Sequence, residues 1–325
     1  MINNRIDRSL SFSIEEYDQL PEHQLVENPE LTAVPKELGP EHFKQVQREI
    51  YRASSELVDA VNLAIALGRP LLLQGEPGCG KTRLAYALAY ALKLPLEISP
   101  IKSTSRAQDL LYTYDAVSRL YDAQFPPEEA AGTQRRRSLD IRRYLSLGPL
   151  GRAFARAQQG RRSVVLIDEI DKADLDFPND LLWELDRLEF RIPEADLSYA
   201  VKDPQLRPIV LVTHNEEKAL PSAFLRRCIF HYIAFPKRPD DLWQIMAAHQ
   251  VADEQLGRRA IEVLLKLREI KDLTKNPGVS ELLDWAGYLA AVKTPLKDLD
   301  KLPYIGALLK QQSDQERARK ELLTQ

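Results

Sequence analysis

The sequence predicts an α/β fold, a five-stranded parallel sheet covered by helices on both faces and followed by a small all-helical domain. Three observations predict it. Five short apolar runs recur, PLLLQ (70–74), PLEIS (95–99), SVVLID (163–168), PIVLVT (208–213) and FHYIAF (230–235), with helical segments between them. Strands that are apolar throughout must be buried on both faces, which the helices of a parallel α/β sheet provide. After FPKRPDD the pattern is helical to the end, through DLWQIMAAHQV, RRAIEVLLKLREI, SELLDWAGYLAAV and PYIGALLKQQSDQERARKELL. Finally, the glycine-rich stretch GEPGCGKT (75–82) lies between the first strand and the helical stretch TRLAYALAYAL.

Taken in chain order, residues 1–44 are polar, bear prolines and are weakly patterned, so they read as an arm packing on something else. The stretch 41–67 reads as a helix, with Val46, Ile50, Leu57, Val61 and Ile65 at roughly helical spacing. A core over 45–236 carries the five strands. The gap 100–162 is too long for a featureless loop and reads as helices plus a mobile insert. That insert contains 126–137 and the arginine-rich QRRRSLDIRR, either a solvated face or a contact for an acidic partner or a neighbouring subunit. Residues 237–325 form the helical domain.

The glycine-rich stretch has the spacing G-x-x-x-x-G-K-T, a phosphate loop with its strand before it and its helix after it. The fold class narrows accordingly to a P-loop NTPase αβα sandwich. Gly75, Gly78 and Gly80 let backbone N–H groups turn inward, and with the helix N-terminus they make an anion site. Lys81 supplies a charge for the terminal phosphates, and the hydroxyl of Thr82 is placed to hold Mg²⁺. Glu76, Pro77, Cys79 and the following Arg83 complete the nucleotide-contacting stretch, and ATP is the expected ligand.

The third strand ends in VVLIDEID. Asp168 suits the water shell of Mg²⁺, and Glu169 can orient or deprotonate an attacking water. Two acids there could also cap the next helix. A phosphotransferase has no need of Glu169, whereas a hydrolase does, so the reaction expected is ATP hydrolysis. The fourth strand leads to Asn215, which emerges between the loop and the acids if the strands are sheet neighbours. A turn asparagine is the plainer alternative. Arg226 and Arg227 follow a short helix. One of them aimed at a neighbour's γ-phosphate would accelerate the reaction by about 10³–10⁵, and a helix C-terminus also favours such a pair through its dipole.

The 325 residues carry a formal charge of −3, which points to no nucleic-acid or membrane partner. No apolar run is long enough to span a bilayer, and the N-terminus lacks a signal-peptide core. The two cysteines, Cys79 and Cys228, read as reduced thiols of a cytoplasmic protein, with Cys79 either a small loop residue or a redox switch.

With these motifs in this order, the chain resembles the AAA+ ATPases, and within them the MoxR branch of the helix-2-insert clade. The resemblance rests on GEPGCGKTRLA, IKSTSRAQDLLYTYD, VVLIDEIDKADLDFPNDLLWELDRLEFRIPE, VTHNEEKALPSAFLRRCIFHYIAFP and SELLDW, and covers about residues 45–295. It implies a helical lid, nucleotide at a subunit interface, and a homo-oligomeric ring, usually a hexamer. Arg226 or Arg227 would then act in trans, with Arg227 preferred. It also implies a helix-2 insert at 103–150, a pre-sensor-1 hairpin at about 188–207, and chaperone work on a protein client, often with a von Willebrand A domain partner. One departure concerns the lid. Gly278-Val279-Ser280 stands where related lids place a phosphate-touching arginine, and Lys275 or Arg268 would have to substitute. Two other functions fit the sequence, a nucleotide-gated switch or scaffold in a signalling or defence assembly and a DNA-acting motor.

Overall fold

The structure is a computed structural model that describes residues 6–7, 9–30, 34–124 and 140–323. The stretch 126–137 and the first part of QRRRSLDIRR lie outside the described residues. The chain divides into two units, one of residues 1–49, 53–74 and 82–231, the other of residues 50–52, 75–81 and 232–325.

The first unit is built on the five expected strands. We label the antiparallel hairpin of the arm β1 (His23–Glu27) and β2 (Phe43–Gln47). Helix α1 (Ser55–Leu67) leads to β3 (Leu71–Gln74), and α2 (Lys81–Ala91) leads to β4 (Leu96–Pro100). Helix α3 (Pro149–Gln158) precedes β5 (Val164–Asp168), which is followed by β6 (Ile209–His214) and β7 (Ile229–Tyr232). The sheet order is β7-β3-β6-β5-β4. Strand β6 pairs in parallel with β3, Leu211 opposite Leu71, and with β5, Ile209 opposite Val164. Its residues are buried along their whole length, as a central strand of a covered sheet requires. Two small hairpins stand apart from this sheet, Tyr112–Tyr114 with Leu145–Leu147, and Glu189–Ile192 with Leu197–Ala200.

The stretch 41–67 is not one helix. Residues 43–47 form β2, and the α-helix runs only over 55–67. Lys44 and Val46 are half-buried while Phe43, Gln45 and Gln47 are exposed, the alternation of a strand, so Val46 belongs to a period of two. Ser54 sets the helix start, its hydroxyl accepting from the Leu57 N–H at 3.3 Å. The arm's partner is this same unit. Phe12 and Tyr17 are buried, and Phe12 exchanges two hydrogen bonds with the Asn62 side chain. Asp7 pairs with Arg162 at 2.8 Å, and Glu27 accepts from Arg156 and Arg161, each at 2.7 Å. Arg156 also meets Glu97 of β4, and both are 1% exposed, a buried pair that neither residue could survive losing without heavy cost.

The second unit has its own core. Helices α4 (Pro239–His249), α5 (Glu254–Glu269), α6 (Val279–Ala291) and α7 (Gln312–Leu323) enclose Leu242, Met246, Leu264, Leu282 and Leu289. Trp285 is fully buried, and its indole N–H donates to the Pro303 carbonyl at 2.7 Å. No helix among the described residues is long and apolar enough to cross a membrane.

Candidate functional site

In the first unit the acids end β5 beside the end of β6. Asp168 Oδ1 accepts from the Thr82 hydroxyl at 2.9 Å and from the Thr213 hydroxyl at 2.7 Å. The same Thr213 oxygen accepts from the Glu169 N–H at 2.7 Å. Glu169 has left-handed backbone angles, φ 59° and ψ 56°, a conformation costing a non-glycine residue about 1 kcal/mol or more and sustained only by its surroundings. Thr213 supplies part of that support. Glu169 Oε1 then accepts from the Asn215 side-chain amide at 2.9 Å, and Oε2 pairs with the Lys172 ammonium. Asn215 is held in turn by buried Asp171, whose Oδ2 accepts the backbone N–H groups of Asn215 and Glu217 at 3.0 Å each. β6 is the neighbour of both β3 and β5, so the condition under which Asn215 reaches the acids is met.

The phosphate loop belongs to the second unit. Gly80 has φ 91°, a region that disfavours any side chain. A Cβ on Gly75 would lie 2.5 Å from the Ile233 carbonyl oxygen, so that approach requires glycine. Lys81 is 6% exposed and donates to the carbonyls of Gly75 and Glu76 at 2.7 and 3.0 Å. Burial pushes the Cys79 thiol up, against the thiolate that a redox switch would need. The Ser280 hydroxyl donates to the Gly78 carbonyl at 3.3 Å. Pro77 and Gly78 thus adjoin the start of α6, where the Glu281 carboxylate caps the Gly278 N–H at 3.1 Å. Lys275 is exposed, whereas Arg268 holds Glu76 by two hydrogen bonds of 3.0 and 2.8 Å.

Elsewhere in the first unit, Arg83 pairs with Glu49 at 2.9 Å. Arg227 donates to Asp186 at 2.6 Å and to the Ala223 carbonyl at 3.0 Å. Arg226 is exposed, and its side chain has no hydrogen bond or ion pair among the described residues.

These residues fit their expected ligands. Thr82 and Asp168 offer oxygen donors alone, the set that a hard cation such as Mg²⁺ prefers. Among the described residues no group of three or more His, Cys, Asp or Glu could hold a metal. Mg²⁺ is characteristically bound by one or two protein oxygens together with water and substrate phosphates. The buried Lys81 ammonium, with only carbonyls as partners, suits an incoming anion. Sequence reasoning missed Thr213, Asp171 and Lys172. Thr213 and Asp171 each stand near an identified residue, but only strand adjacency shows what they hold.

Residues 70–228 match the family model described as AAA domain (dynein-related subfamily). No curated protein matches the chain. Among solved structures, a crystal structure from Cytophaga hutchinsonii ATCC 33406, described as a candidate ATPase, is similar at 16% identity. The match covers 73% of this chain and 78% of that one, with a TM-score of 0.39.

Proposed function

From the match of residues 70–228 to the family model described as AAA domain (dynein-related subfamily), we propose that the chain is a Mg²⁺-dependent ATPase of the MoxR type, acting as a homo-oligomeric ring that remodels a protein client. The observation that carries the hydrolytic reading is the linked set Thr82, Asp168, Thr213, Glu169 and Asn215, in which one hydroxyl organises both acids. Thr82 and Asp168 would hold Mg²⁺, which would supply charge neutralisation for the phosphates. Glu169 takes a proton from the attacking water through its carboxylate, and the Asn215 amide fixes where that carboxylate points. Lys81 exchanges its loop carbonyls for phosphate oxygens.

In a ring, an arginine of the neighbouring subunit would complete the charge stabilisation. We assign that role to Arg226 rather than to Arg227, because Arg227 is already engaged by Asp186 and the Ala223 carbonyl. The helix Ala116–Gln124 leaves Val117 and Leu120 exposed at 80% and 60%, which supports a client-facing role for the 103–150 insert. A von Willebrand A domain protein is the partner class that the MoxR resemblance suggests.

A gated switch that turns over rarely is the second reading, favoured by the Lys172 ammonium on Glu169, which must leave before the carboxylate can serve as a base. Steady-state release of phosphate from ATP, with Mg²⁺ and with excess chelator, tests the first reading. Stoichiometric ATP binding without turnover, over a range of protein concentrations and in the presence of captured clients, would leave the switch. Affinity capture with Glu169→Gln in ATP identifies the client.

A further inference from the structure

A carboxylate inside a loop that cradles a triphosphate is electrostatically misplaced. Glu76 opposes the charge of Lys81, so the two leave GEPGCGK with no net side-chain charge toward an anion. The second unit contains the compensation. Arg268, from the last turn of α5, meets both oxygens of Glu76 at 3.0 and 2.8 Å. A third guanidinium contact runs to the Pro277 carbonyl at 2.7 Å, and the guanidinium carbon lies 3.6 Å from the centre of the Phe235 ring. Arg268 is therefore pinned on a carbonyl, a ring and a carboxylate. Its side chain is 13% exposed and is not poised as a free arm that reaches for phosphate.

We infer that Arg268 is a positioning residue for nucleotide binding, which neutralises and holds the Glu76 carboxylate so that the loop presents positive charge to the phosphates. This role deepens the ATPase reading and rests on it. It also accounts for Gly278-Val279-Ser280. A lid that contributes its charge through Glu76 does not need an arginine at the start of α6. The backbone follows the same logic. Lys81 rests on the carbonyls of Gly75 and Glu76, so the residue whose side chain Arg268 holds is also one that parks the catalytic-site lysine. Nη2 alone donates to both carboxylate oxygens of Glu76, while Nη1 is spent on the Pro277 carbonyl, so a charge-assisted contact centres the guanidinium on the acid.

The charge argument makes an asymmetric prediction. Removing Arg268 exposes the acid of Glu76 to the phosphates, and the loss should depend on that acid. Binding of a fluorescent non-hydrolysable ATP analogue, and of the matching ADP analogue, is measured for full-length wild type, Arg268→Ala, Glu76→Gln and the double variant. Arg268→Ala is expected to weaken the ATP analogue about tenfold or more, the ADP analogue less, and both less at high salt. In the Glu76→Gln background the same substitution should cost about twofold or less. Arg268→Lys keeps the charge but loses the planar stack on Phe235 and the Pro277 contact, so it should fall between wild type and Arg268→Ala, recovering about threefold of the loss, and it guards against an Arg268→Ala chain that misfolds. Equal losses in the two backgrounds, or Arg268→Lys as weak as Arg268→Ala, overturn the proposal and leave the ATPase reading standing. Absence of binding by wild type overturns both.

Discussion

Replacing Thr213 with valine probes how the two acids of β5 are held. The side chain is fully buried, and its hydroxyl makes two hydrogen bonds of 2.7 Å, accepting from the Glu169 N–H and donating to Asp168 Oδ1. Valine keeps the shape and removes both. The Glu169 N–H is then left without an acceptor, at about 1–3 kcal/mol, and a hydrogen bond to a charged group worth about 1.5–3 kcal/mol is lost. The two are not additive, because the Thr82 hydroxyl still serves Asp168 Oδ1. A net destabilisation of about 2–4 kcal/mol is expected. Glu169 also loses a restraint on its left-handed backbone, so its carboxylate drifts from Asn215 and turnover should fall about a hundredfold. Urea unfolding midpoints, kcat, and the Mg²⁺ concentration for half-maximal activity are the measurements. Thr213→Ser retains the hydroxyl and should come within about 1 kcal/mol of wild type, with near-normal kcat. If valine matches wild type in midpoint, kcat and Mg²⁺ dependence, the hydroxyl is not what organises the acids.

Lys81→Ala should abolish nucleotide binding, whereas Glu169→Gln should retain it and lose turnover, a separation that equilibrium binding and phosphate release measure directly. If a neighbour's arginine completes the site, turnover per chain rises with protein concentration, and Arg226→Ala should remove that rise. Arg227→Ala should cost mainly the exposed pair with Asp186, worth about 0–1 kcal/mol, and leave the rise in place. Hydrolysis at constant specific rate by a species that light scattering shows to be monomeric would end the ring model. Acid should loosen the arm. Burial pushes the Asp7 carboxyl up, but the Ser9 and Arg162 hydrogen bonds outweigh it and hold it below the usual range. A depressed folded pKa contributes stability that is present above the unfolded value near 3.8 and lost as pH falls through the folded one. Asp7→Asn should therefore lower the thermal midpoint at pH 7 and flatten its decline below about pH 4.

Much of this protein was legible without a structure, and the reason is locality. The three inner runs became β3, β5 and β6 because a strand covered on both faces is apolar over most of its length, a signal carried by four to six adjacent residues, whereas the edge strands β4 and β7 are only partly buried. GEPGCGKT was readable because its requirements, backbone turns and a charge at the helix start, are met by consecutive residues. Locality also produced the error at 41–67. Val46 and Ile50 fit a helical period by spacing alone, and the pairing of 43–47 with 23–27 that overrode it lies outside any local window.

What only tertiary structure decided are the contacts between distant parts of the chain. Strand β6 inserts between β3 and β5, and that order alone turns Thr213 and Asn215 toward Asp168 and Glu169. Arg227, which the family resemblance prefers as the residue acting in trans, is held by Asp186, forty-one residues earlier. The arm could not be assigned a partner, since its acids meet Arg156, Arg161 and Arg162 more than a hundred residues away. Glu76 and Arg268, separated by 192 residues, share no pattern by which either predicts the other. Periodicity reports which face of an element is buried, but not which charged group the fold brings to it, because that choice is made by packing among elements and not within them.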